Sequence, residues 1–387
     1  MNGTIAAVMV VLVAVLAAIG LLTGSDSSTP PAGQQAVAAA PSIATIAHRV
    51  ERVRDLRFER LSPVRRVTRA RARADALRQL DRQVPERDVA GEEELLKLLG
   101  LIPADVGLRK LLGKAFGSEV GGYYDPGTGR LSVVGGSGGL IREITLAHEL
   151  THALEDQHFD LETPPGTGFN RDRSIADTTV HEGTATLAMV DYEIVKQTGG
   201  TQVSEGLRQR VLSALDDAAV PSSTGLPRYL RESLVFPYPA GARLVDRVQR
   251  SGGWKAVNRL FGPDAPVSSE QVLHPAKLRS HEPPIPVRLG GPGSFARGDF
   301  GEFDTEQLLR EANGEDRAAR AAAGWGGGGF ALWRRPGGRY GLSTRWVWDS
   351  ARDAREFEAA ARRVARRLGG ATVSSGDKGI ELTVAPR

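Results

Sequence analysis

The chain has 387 residues, 41% of them hydrophobic, enough to fill one large core or two. A net charge of +4 is too small to argue for a nucleic-acid partner. There is no cysteine, which excludes disulfides and thiolate nucleophiles but fits any redox compartment.

Residues Ile5 to Leu22 are eighteen consecutive apolar or small residues without a charge. That length suits a membrane-spanning helix and is long for a signal-peptide core. Ala36-Val37-Ala38 could serve as a cleavage site, but it lies well beyond the apolar run. The expectation is a single-pass anchor at 1–22 in the cell membrane, or a secreted protein if the segment is removed. With no basic residue between 23 and 47, nothing near the span holds that side in the cytoplasm, so the remainder is expected outside it. Residues 23–42, rich in Ser, Thr, Pro and Gly, form a flexible linker.

From Ile43 to about Leu80 the pattern is helical, with a break at Pro63 and ten Arg between Arg49 and Arg73. Of the chain's 50 basic residues 43 are Arg, which alongside abundant Ala and Gly reads as coding bias. The segment 43–85 is expected to be a solvated helical stalk; binding to acidic headgroups is the functional alternative. Glu92 to Leu99 and Ala104 to Phe116 follow as short helices. The period then changes to two: Val120 to Tyr124 and Arg130 to Val134 flank Asp125-Pro-Gly-Thr-Gly129, which is turn chemistry and predicts a hairpin.

Next comes Ile141-Arg-Glu-Ile-Thr-Leu-Ala-His148-Glu149-Leu-Thr-His152-Ala-Leu154. On a helix, His148 and His152 lie one turn apart on one face, and Glu149 is rotated by about 100°. This is the H-E-x-x-H pattern. Two neutral imidazoles suit zinc, which activates a water, and the neighbouring Glu149 can take that water's proton as general base. Ile144, Ala147, Leu150 and Leu154 keep helical spacing, so the helix buries a face rather than lying solvated.

A third metal ligand is needed, and two residues could supply it. His158 lies ten positions after His148, as in the metzincin pattern, but Glu155 occupies the place where that pattern needs a turning Gly. Glu182 lies on a second helical run, Asp172 to Lys196, beside the small residues Gly183, Thr184 and Ala185, which would let helices approach closely. Glu182 is the preferred ligand.

The segment His148-Glu-Leu-Thr-His-Ala-Leu-Glu-Asp-Gln-His158-Phe-Asp-Leu161, followed by Glu182-Gly-Thr-Ala-Thr186, resembles a largely uncharacterised group of bacterial zinc metallopeptidases of the gluzincin type. Phe236-Pro-Tyr-Pro-Ala-Gly241, Gly252-Gly-Trp-Lys-Ala-Val-Asn258 and Ser269-Glu-Gln-Val-Leu-His-Pro275 add to the likeness, which spans roughly 90 to 350. It implies a zincin-like metallopeptidase core over 90–282 and a peptide or protein substrate. By the same likeness the hairpin strand would line the cleft and could pair with extended substrate backbone; the alternative is a hairpin that merely covers the helix. The alternative is an inactive zincin-like binding module at the cell envelope.

Val203 to Ala218 and Ala242 to Phe261 are further helices, the latter broken at Gly252-Gly253; Pro221 to Pro239 is expected to wrap the cleft. A zincin needs a donor for the oxyanion of its intermediate. His274 is the first candidate and Tyr238 the second. Residues 283–300 look like a linker, and 300–387 like a small α+β region in which Gly324-Trp-Gly-Gly-Gly-Gly329 forms a flexible loop. The expected fold is therefore α+β and predominantly helical.

Overall fold

The structure, a computed structural model, describes residues 41–115, 121–134, 139–161, 171–216, 224–290, 293–377 and 379–386. The expected anchor at 1–22 and nearly all of the linker lie outside these residues. Among the described residues, no helix is long and apolar enough to cross a membrane.

The architecture is α+β and mostly helical. Helix α1 (Ile43–Arg54) starts at Ser42, whose Oγ accepts from the Thr45 amide at 3.1 Å. Strand β1 (Val64–Val67) and helices α2 (Arg69–Gln83), α3 (Glu86–Leu98) and α4 (Leu108–Ala115) follow. The hairpin is present as β2 (Gly122–Asp125) and β3 (Arg130–Val134), and β1 joins it in the order β1-β3-β2, parallel to β3. Alternation along β3 splits the packing. Leu131 and Val133 meet Ile46, Val50, Leu146 and Leu150, whereas Val134 meets Ala72 and Ala76 of α2.

The segment 43–85 is thus no solvated stalk. Ile46, Val50 and Arg54 of α1 are fully buried, and the segment contributes one strand and two helices to the packing around the hairpin and the His148–His152 helix. Its Arg residues hide this in the sequence, because only one face of each helix is buried.

Two long helices carry the motif residues: α5 (Gly139–Phe159) and α6 (Arg171–Thr198). After α7 (Glu205–Asp216) and α8 (Arg228–Val235) comes α9 (Pro237–Arg259), kinked by non-helical Gly252 and Gly253. Helix α9 packs closely on α6. A Cβ at Gly183 would stand 2.2 Å from the Gly241 carbonyl carbon, so two glycines let the backbones touch. The small residue beside Glu182 therefore serves the contact with α9.

Short helices α10 (Ser269–Leu273) and α11 (Pro275–Arg279) lead to the C-terminal unit. It contains β4 (Ala296–Asp299), α12 (Glu302–Asn313), α13 (Glu315–Ala322), β5 (Trp325–Arg334), β6 (Tyr340–Trp348), α14 (Ala351–Leu368), β7 (Ala371–Gly376) and β8 (Gly379–Val384). The sheet runs β4-β5-β6-β8-β7, all antiparallel. The glycine run 326–329 is not a loop but the first half of β5. Cβ atoms at Gly327, Gly328 and Gly329 would meet the carbonyl oxygens of Ile285, Phe300 and Val287 at 2.2, 2.3 and 2.4 Å. Glycine is required there so that neighbouring backbone can lie on the strand.

One continuous apolar cluster joins Ile144, Val180 and Leu187 of α5 and α6 to Phe300, Trp325, Trp346 and Phe357. Asp172 reinforces the junction. Its Oδ1 accepts from the Ser269 amide at 3.0 Å, and its own amide donates to Asp299 at 3.1 Å.

Candidate metal centre

Helical spacing on α5 turns His148 and His152 toward each other, with ring centroids 4.8 Å apart and planes at 84°. Their Nε2 atoms are 3.1 Å apart. Glu182, thirty residues later on α6, places Oε2 3.2 Å from His148 Nε2 and 3.5 Å from His152 Nε2. All three side chains are buried. These three residues form the one group among the described residues whose donor atoms could hold a metal, all within 4.8 Å of one another.

The donor set fits a zinc ion. Tetrahedral bonds of about 2.0–2.1 Å leave neighbouring ligand atoms about 3.3 Å apart, close to the edges of this triangle. Two imidazoles and one carboxylate are borderline ligands that zinc accepts. Two ring nitrogens facing each other at 3.1 Å cannot both present lone pairs, so one must donate a proton to the other or both must bind a cation. Burial disfavours the charged His152, yet Glu182 pushes it up to about 9. His148 goes the other way, lowered chiefly by burial. Burial would raise Glu182, but His152 and His148 hold it down at about 2. His148 Nδ1 has no hydrogen-bond partner, so that ring lacks the acceptor which usually orients a ligating histidine.

Glu149 stands beside the triangle. Its Oε2 accepts the Tyr124 amide of β2 at 2.7 Å. In the order β1-β3-β2 that strand has no second partner strand among the described residues, and its Tyr124 amide is donated to the helix. Gly121 and Gly122 make this approach possible; a Cβ at Gly121 would meet Thr145 Oγ1 at 2.7 Å. Burial, followed by Glu182, raises the Glu149 carboxyl to about 8.

The two oxyanion candidates separate. Tyr238 enters the site: its ring stacks on His148 at 6.1 Å and 27°, and its hydroxyl bonds to Glu182. The Gly183–Gly241 contact brings it there, since Tyr238 lies one turn before Gly241 on α9. His274, the first choice, is engaged elsewhere. At the junction of α10 and α11, its Nε2 bonds Glu302 of α12 at 2.8 Å, and its charged neighbours are Glu302, Glu270 and Lys277. His158, the alternative ligand, bonds the Arg57 carbonyl at 2.8 Å. Sequence reasoning missed the Tyr124 amide, a backbone group without a residue signature. It also missed Arg54, which pairs with Glu155 at 2.7 Å.

Residues 288–386 match the family described as Domain of unknown function (DUF8575), which is the C-terminal unit and contains none of the three candidate ligands. No curated protein and no solved structure matches the chain.

Proposed function

We propose that this chain is a zinc-dependent peptidase with a zincin-like core of the gluzincin type. His148, His152 and Glu182 would hold the ion, and Glu149 is the general base. The observation that carries the reading is the meeting of three donor atoms from two helices within 4.8 Å, beside a second glutamate, Glu149. Zinc bound there would lower the pKa of a water to about 7 and polarise a carbonyl.

The chain's own groups do the rest. The Tyr124 amide fixes one oxygen of Glu149 and leaves the other to take and return a proton. An extended peptide would have to add along the edge of β2 away from β3, where the Tyr124 amide is already held by Glu149. Tyr238 positions Glu182 through its hydroxyl and His148 through its ring. The expected setting is a membrane-tethered protein with its catalytic part outside the cytoplasm.

The test compares zinc content and casein hydrolysis in the full chain and in Glu149→Gln. The variant should keep its zinc and lose hydrolysis by about a hundredfold or more. Undiminished hydrolysis would remove Glu149 from its role. Stoichiometric zinc with no turnover by the parent chain would instead favour a zincin-like binding module. His274→Ala is the control and should retain hydrolysis.

A further inference from the structure

The residues that follow the second histidine, Glu155-Asp156-Gln157-His158, bind none of the metal-site atoms. Three of them grip one stretch of the N-terminal segment instead. Glu155 Oε1 receives Arg54 Nε at 2.7 Å, and both side chains are fully buried. Gln157 Oε1 accepts the Glu59 and Arg60 amides at 2.9 and 3.2 Å, and its Nε2 donates to the Arg60 carbonyl at 3.0 Å. His158 Nε2 bonds the Arg57 carbonyl. Asp156 takes the Tyr124 hydroxyl at 2.7 Å, which ties the same turn to the strand that orients Glu149.

Arg54 is the centre of this grip. Its guanidinium lies 4.5 Å from the Trp254 ring centroid and 5.9 Å from those of Phe159 and Phe261. The kink at Gly252-Gly253 precedes Trp254, so the end of α9 also reaches the cage. Helices α1, α5 and α9 therefore meet at one ion pair, one turn beyond His152. Arg54 Nη1 and Nη2 and Glu155 Oε2 have no hydrogen-bond partner. A buried pair with so many unsatisfied atoms is a poor stabiliser; apolar residues of the same volume would serve as well or better. The best-attested use of such a pair is to fix registry.

We propose that Arg54 is a positioning residue for the metal site. Through Glu155 it sets the register of α5 at His152, so zinc affinity depends on the docking of the N-terminal helix. The inference rests on the metal reading above. It also accounts for the E-D-Q-H extension of the motif, which the chemistry leaves unused.

The test measures zinc affinity of the full-length chain by competition with a chromophoric chelator, together with thermal melting of the zinc-free protein. Arg54→Met and Glu155→Gln should each weaken zinc at least tenfold. The double variant should be no weaker than the worse single one, because both act through one bond. Gln157→Ala removes three backbone anchors without touching a charge, and should weaken zinc severalfold; it carries the test if Arg54→Met fails to fold. Variants that melt lower but hold zinc within twofold of the parent would overturn the proposal and leave the pair a stability element. A parent chain that takes up no zinc would instead overturn the metal reading, and this inference with it.

Discussion

Replacing Gly183 with Ala tests the helix crossing that assembles the site. The added Cβ would stand 2.2 Å from the Gly241 carbonyl carbon and 2.4 Å from its Cα, where ordinary contact begins at 3.4 Å. Both obstructing atoms are backbone, so no side chain can rotate away. Helices α6 and α9 must part by roughly 1.2 Å, at the upper end of overpacking costs, about 3 kcal/mol. For a chain of 387 residues unfolding as one unit, the entropy of unfolding is about 0.8 kcal/mol/K, so melting should fall by about 4 °C. Glu182 adjoins the crossing, and metal ligands tolerate displacements of only about 0.2 Å, so zinc affinity should fall tenfold or more. Circular-dichroism melts and chelator competition read the two effects. Gly206→Ala on α7, where nothing lies within 4 Å, is the control and should be neutral or stabilising by up to about 1 kcal/mol. Unchanged melting and unchanged zinc affinity in Gly183→Ala would refute the close crossing.

Tyr238→Phe keeps the ring on His148 but removes the hydroxyl bonded to Glu182. Zinc affinity should fall by about 10- to 100-fold with little change in melting, as measured by chelator competition; unchanged affinity would show that the hydroxyl does not position the ligand. At the junction with the C-terminal unit, burial, followed by Asp299 and Asp304, raises the Asp172 carboxyl to about 8. The native state then holds a proton that the unfolded chain has released, so this residue costs stability progressively as pH rises from about 4 to about 8. Melting followed from pH 5 to 8 should decline less steeply in Asp172→Asn than in the parent, and an identical slope would contradict the assignment.

Local signals carried much of the site. His148, Glu149 and His152 were legible because a helix turns a four-residue spacing into one face, and Glu182 because small residues flank it on a long helical run. The hairpin was legible from Asp125-Pro-Gly-Thr-Gly129. What escaped depends on partners far along the chain. Val64–Val67 is a strand because β3 lies beside it, and two of its four residues are Arg. Trp325–Gly329 is a strand because the carbonyls of Ile285, Val287 and Phe300 need the space that side chains would fill. Arg54 is buried among residues more than a hundred positions away, so its neighbours in sequence make it look solvated. Tyr238 reaches the metal group only through a glycine pair 58 residues apart. His274, preferred for its side-chain chemistry, answers instead to Glu302 of the C-terminal unit.

The most direct measurement is metal content of the purified full-length chain and of four single variants, by elemental analysis after exhaustive dialysis. One zinc per chain is expected in the parent and in His158→Ala, and its loss in His148→Ala, His152→Ala and Glu182→Ala. Retention of zinc by Glu182→Ala together with its loss from His158→Ala, or a parent chain that binds none, would contradict it.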